Sequence, residues 1–189
     1  LPYKQNGIMV MCCYSTARFQ FTSFTTRKDS CMLKPQQWSL SIPADQAFMN
    51  AQQIACAAKA TEVKPIHFLF SILAHGNNLG TTMLRKMYWL PSVILAEVVK
   101  CIGINPKEAI PTEADIPLSA ACRVMMDNAA EEAKKTKSVF VGTEHIFLSM
   151  LASEEKPRIL TKVGITYEKG LTVVQKMCDA QNGKADLAS

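Results

Sequence analysis

Two histidines, His67 and His145, sit in near-copies of one string, VKPIHFLFSIL over residues 63–73 and VGTEHIFLSML over residues 141–151. Imidazole is the side chain best suited to acid–base or metal chemistry near neutral pH. Metal ligation would need carboxylate or thiolate partners at ligand spacing around both histidines, and none recurs. Matching placement in two copies points instead to a shared structural hydrogen bond near a helix start. His67, His145 and Gly142 are therefore read as structural repeat positions, and neither a metal nor a cofactor is expected. Just before His145, Thr143 is placed to cap a helix and Glu144 to act as a surface acid facing the helix dipole.

The other reactive groups fit no catalytic pattern. Seven cysteines, at positions 12, 13, 31, 56, 101, 122 and 178, form no C-x-x-C pair. Cys56, Cys101 and Cys122 lie in apolar helical contexts, where a reduced thiol packs as a small hydrophobe. This usage implies a reducing compartment and no disulfide framework. Nothing beside Cys178 in sequence lowers its pKa. There is no nucleophile elbow and no G-x-x-x-x-G-K-[ST] loop to hold nucleotide. No enzymatic activity is expected; a small helical hydrolase or redox protein using His145 and cysteines is the alternative from another class. Lys134, Lys135 and Lys137 beside Glu131 and Glu132 read as a solvated face, and Met83, Met87, Met125, Met126, Met150 and Met177 as core filling.

The two strings are 78 positions apart (63 against 141), with Val63/Val141, His67/His145, Ser71/Ser149 and Leu73/Leu151 identical. An internal repeat of this kind sets the unit from which the fold is built. The first unit, residues 43–102, opens at Pro43 with Asp45 in the first turn, and Phe48, Ala51, Ala55 and Ala58 recur at helical spacing to about Ala60. Further helices are expected from Pro65 to about Ala74, from Leu79 to Met87, and to Cys101 with Ser92 as N-cap. Residues 103–117 hold Pro106, Pro111 and Pro117 and read as a linker. The second unit, residues 118–178, repeats the plan. Leu118, Ala121, Cys122, Met125 and Ala129 form its first apolar stripe, with Asp127, Glu131, Glu132 and Lys134 mostly on the other side. Helices over residues 143–151, 157–163 and 169–177 follow, and residues 179–189 form a polar, fraying tail. The fold class is all-α: two tandem four-helix repeats packed with pseudo-two-fold symmetry.

Composition separates the start of the chain from the rest. Hydrophobic residues make up 48% of the whole, enough for a core. The net charge is +5, and Lys4, Arg18, Arg27, Lys28 and Lys34 outnumber Asp29 by four within the first 44 residues. The basic surplus belongs to this leader, so no nucleic-acid surface and no helical transcription regulator is expected of the folded part. Residues 1–42, rich in Ser and Thr, suit an organelle transit peptide, with a mature start near Ile42, or else a disordered extension. No apolar run reaches eighteen residues, so no membrane span is expected.

The second repeat, AACRVMMDNAAEEAKKTKSVFVGTEHIFLSML over residues 120–151, resembles the Clp N-terminal repeat of ClpA/ClpC-type AAA+ unfoldases. Gly142, Thr143, Glu144 and His145 match the family's G-T-E-H, and RILTKVGI over residues 158–165 resembles its next segment. The resemblance covers residues 43–178 and is weaker in the first repeat, where Lys64-Pro65-Ile66 replaces Gly-Thr-Glu. It implies a non-catalytic protein-interaction module, a chaperone-like regulator of proteolysis. Its partners would be substrate proteins or adaptors, a Clp ATPase, or the Clp protease core. Short plastid proteins similar to this domain act as accessory subunits of that core, which would place the chain in the plastid stroma if residues 1–42 are a transit peptide, and otherwise in the cytoplasm. An N-terminal fragment of a full unfoldase is the alternative. The resemblance also implies a phosphoarginine-type site at Thr143 and Glu144, because a carboxylate matches a guanidinium fork and a helix N-terminus favours phosphate. Pro65 and Ile66 cannot form its counterpart in repeat one.

Overall fold

The structure, a computed structural model, describes residues 38–104 and 114–185. Most of the expected leader (residues 1–37), the centre of the linker (105–113) and the last residues of the tail (186–189) lie outside the described residues. Eight helices follow in order: α1 (Ile42–Ala57), α2 (Pro65–His75), α3 (Leu79–Lys86), α4 (Pro91–Ile102), α5 (Ala120–Lys135), α6 (Thr143–Ala152), α7 (Arg158–Lys162) and α8 (Tyr167–Ala185). None among the described residues is long and apolar enough to cross a membrane.

Helices α2 and α6 carry the centre of the core. Phe68, Leu69, Phe70 and Ile72 of α2, and Ile146, Phe147, Leu148 and Met150 of α6, are all buried. A helix apolar on every side has to be surrounded by others. Helix α2 packs against α1 and α4, and α6 against α5 and α8, while α2 and α6 meet each other. Helix α3 crosses from the first repeat to pack on α6 and α8 of the second. Gly80 permits that approach, because a Cβ there would lie 2.8 Å from Ile72 Cγ2 and 3.2 Å from the Thr143 carbonyl oxygen.

The repeat extends to the backbone at the ends of its helices. Helices α1 and α5 are both 16 residues long. Each is closed by a lysine in the left-handed region, Lys59 (φ 54°) and Lys137 (φ 56°). The amides of Ala60 and Ser138 then bond back to the carbonyls of Ala55 and Ala133, both at 2.9 Å. These 6→1 bonds satisfy carbonyls the helix ends would otherwise leave open.

The lead-in to each repeat is exchanged. Leu40, before α1, bridges Val141, before α6; Leu118, before α5, bridges Val63, before α2. Each half is thus pinned by a segment that enters the other.

Several boundaries differ from the sequence expectation. Helix α1 stops at Ala57 rather than near Ala60, because Lys59 takes the left-handed conformation. Helix α4 begins at Pro91 with Leu90 as its N-cap, so Ser92 is not the cap. Proline's fixed φ and missing N–H suit the first helical position. Helix α8 runs on to Ala185 instead of fraying after Cys178; Ala180, Gln181, Lys184 and Ala185 are good helix formers.

Candidate functional site

The N-terminal turns of α2 and α6 repeat one hydrogen bond. The Lys64 amide donates to His67 Nδ1 at 3.0 Å, and the Gly142 amide to His145 Nδ1 at 2.9 Å. In each case the third helical residue reaches back to the capping residue's N–H, the imidazole doing what Glu or Gln does in a capping box. Accepting at Nδ1 leaves the His145 proton on Nε2, which donates to Thr136 Oγ1 at 2.8 Å. The Thr136 hydroxyl passes on to the Ala133 carbonyl at 3.0 Å. His145 ties the end of α5 to the start of α6 as a neutral ring. Burial lowers the His145 pKa, against the opposing pull of Glu132. Burial, helped by the Lys64 charge, lowers His67 to about 4. Both rings are therefore uncharged at neutral pH, the form in which Nδ1 can accept an amide N–H.

Thr143 and Glu144 depart from the surface roles expected of them. The cap of α6 is Gly142, and Thr143 is the first helical residue. Its Oγ1 accepts from the buried Gly80 amide of α3 at 3.2 Å, which joins the two repeats rather than capping a helix. Glu144 is no surface acid either, since its side chain is only 13% exposed. Its carboxylate folds back over Gly142, on the space a Cβ there would occupy. It accepts from its own amide, and its Oε2 is buried with no hydrogen-bond partner. Burial pushes the Glu144 carboxyl upward, and the amide bond only partly offsets this. His145 Nδ1 lies 3.5 Å from Glu144 Oε1, but the ring is neutral and the two are not an ion pair. In repeat one the same turn carries Pro65 and the half-buried Ile66, with no acid.

Other candidate chemistry is muted. Cys122 is buried, and its thiol is pushed up to about 12, which leaves no thiolate. Cys178 is raised by burial and by the charge of Glu144. Among the described residues no group of three or more His, Cys, Asp or Glu could hold a metal ion. Glu132, expected on the polar side of α5, is buried and accepts from Tyr167 Oη at 3.0 Å and Lys135 Nζ at 2.8 Å. Tyr167 belongs to α8, so this acid turns inward to tie α5 to a helix that sequence separation hides.

One surface feature escaped the sequence reading. Between α3 and α4, Tyr88 is 91% exposed and Leu90 66% exposed, with Trp89 half-buried between them. Tyr88 holds a left-handed backbone (φ 63°), and the Trp89 amide bonds back to the Leu84 carbonyl at 2.9 Å. After α7, Gly164 (φ 68°) takes the same place, and the Ile165 amide bonds back to Leu160 at 3.0 Å. Where repeat two has the residue such a turn favours, repeat one has a tyrosine pointing into solvent. The run Tyr-Trp-Leu-Pro was the available signal, but it reads equally well as a buried helix junction.

Taken together, the paired turns and exchanged lead-ins define an all-helical tandem of two four-helix repeats whose central helices are capped by histidine. Residues 39–163 match the profile of the Clp repeat (R) N-terminal domain, and the chain belongs to that family. An uncharacterized protein of Mycobacterium tuberculosis is 26% identical over 122 residues, 65% of this chain and 46% of that protein. Chaperone protein ClpB of Oceanobacillus iheyensis is 26% identical over 144 residues, 75% of this chain and 17% of ClpB. The chain thus spans less than half the length of these relatives. Among solved structures, the N-terminal domain of ClpV1 ATPase from E. coli is similar with a TM-score of 0.60 at 14% identity, over 75% of this chain and 86% of that one. The Hsp104 N-terminal domain from Candida albicans is similar with a TM-score of 0.58 at 18% identity, over 71% and 88%. At these identities the likeness speaks for the fold.

Proposed function

We infer that this chain is a non-catalytic docking module of a Clp system, and that it binds the protease core as an accessory subunit. The observation that carries the reading is Tyr88. A tyrosine in the left-handed region costs on the order of 1 kcal/mol relative to glycine, and exposing Tyr88 and Leu90 adds nothing to the core. Strain and apolar exposure at one spot suit a contact made with another molecule. The alternative, a substrate-docking domain reading phosphorylated arginine through Thr143 and Glu144, is less well supported. Thr143 Oγ1 is engaged with Gly80, the Glu144 carboxylate is folded onto its own turn, and repeat one has no acid.

The test is affinity capture from native lysate on the full chain, with Tyr88→Gly and Glu144→Ala beside it. Recovery of Clp protease core subunits by wild type and Glu144→Ala, lost in Tyr88→Gly, is the expected result. Recovery of diverse substrates or an adaptor, lost in Glu144→Ala, would establish the docking domain instead. Failure to recover either at native salt would remove the Clp role while leaving the fold intact.

A further inference from the structure

The two exchanged lead-ins are equivalent in geometry but not in how the chain holds them. The Ser41 amide donates to the Val141 carbonyl at 3.0 Å, and the Val141 amide to the Ser39 carbonyl at 2.7 Å. The Ser119 amide donates to the Val63 carbonyl at 3.0 Å, and the Val63 amide to the Pro117 carbonyl at 2.8 Å. The second lead-in lies between the two repeats, so both halves would have to separate for it to leave. The first lies upstream of α1, next to the basic Ser/Thr-rich segment, and Trp38 Nε1 extends it by donating to Asp127 Oδ1 of α5 at 2.9 Å. With the lead-in in place its partner Val141 is buried, at 4% exposure, and both backbone groups of Val141 find their partners in the lead-in rather than in water.

We propose that residues 38–41 form a detachable clasp on the second repeat, and that N-terminal processing decides whether the clasp is kept. A mature start near Ile42, as the composition suggests, would remove the Ser39 and Ser41 bonds and that of Trp38, along with the Ser41 cap of α1, while leaving α2 to α8 whole. A cut upstream of Trp38 would keep all of them. The position of the cut therefore sets whether Val141, where the turn that carries the Glu144 carboxylate begins, keeps its two backbone partners. This holds whichever partner the module docks.

Amide hydrogen exchange of the 189-residue chain, of a chain beginning at Ile42, and of the 189-residue Ser41→Pro variant tests it. Ser41 has φ −68°, so proline fits there and deletes only the donated N–H. In the chain beginning at Ile42, the Val141 amide is expected to exchange at least about tenfold faster. The Val63 amide, the same bond in repeat one, is expected to keep its protection, and Ser41→Pro to move Val141 in the same direction by less. Unchanged Val141 protection in the shortened chain would overturn the clasp. Val63 losing protection together with Val141, or outright unfolding, would overturn its detachability.

Discussion

His67 and His145 show how one residue type can look like chemistry and serve structure. A buried imidazole that accepts an amide N–H is useful only while neutral. His67 falls from an ordinary 6.5 to about 4 in the fold, so the unfolded chain binds the proton more tightly between those values. The stabilisation is complete above pH 6.5 and is lost as the pH falls toward 4, amounting to about 3 kcal/mol for a shift of this size. Burial of His145 acts in the same direction, whereas the raised Glu144 carboxyl acts in the opposite one. Urea melts at pH 7.5 and pH 5 should therefore be compared between wild type and His67→Gln. Glutamine can still accept the Lys64 amide but does not titrate, so a smaller loss of stability in the variant is expected. An equal loss would show that His67 is not the titrating group.

At Gly142 a methyl group would meet the Glu144 carboxylate, the end of a flexible side chain that can swing outward. Gly142→Ala should cost about 0.5–1 kcal/mol, because alanine is a poorer N-cap than glycine although the φ of −93° admits it. It should also bring the Glu144 carboxyl back toward ordinary values, seen as a lower titration midpoint by carbon-detected NMR. At Tyr88 stability and function should part. Tyr88→Gly is expected to raise stability by about 0.5–1 kcal/mol in thermal melts, through relief of the left-handed backbone, while docking is lost. A destabilised variant would mean that the tyrosine packs in the free protein.

Among the elements, α3 matters more than its eight residues suggest, since it joins the repeats by packing on α6 and α8. Gly80→Ala pushes a methyl group against Ile72 and the Thr143 backbone, and the backbone cannot give way as a side chain can. A loss of about 1–3 kcal/mol is expected in denaturant melts. Phe147→Ala, at the centre of α6, should cost about 3–5 kcal/mol, because the site is enclosed and cannot collapse. Most of these elements were legible as 3.6-residue periodicity, with Pro43 and Pro65 marking starts. Their ends were less so. Lys59 and Lys137 close α1 and α5 in a conformation that sequence rules assign to glycine, and the tight 6→1 bonds behind them hold it there.

On the scale of the whole molecule, the exchanged lead-ins and the crossing of α3 make the halves interdependent. A piece comprising residues 38–104 would lack the Pro117 and Ser119 partners of Val63 and would expose the faces of α2 and α3 that meet α6. It should show weak helicity and no cooperative melt by circular dichroism, whereas residues 38–185 of the whole chain should unfold in one transition. An independent, cooperative melt of that piece would refute the interdependence.

The sequence by itself determined the duplication, the all-helical class, the family resemblance and the histidine positions, because those rest on local periodicity and on motifs read along the chain. Only the tertiary structure decided what Thr143, Glu144, Glu132 and Tyr88 do. Thr143 turns to Gly80, 63 positions away, Glu132 meets Tyr167, 35 positions away, and Glu144 is enclosed rather than solvated. Tyr88 stands outside although its neighbours read as core. Burial and partner choice are set by which segments meet in space, and a linear pattern carries that information only where the contact is local.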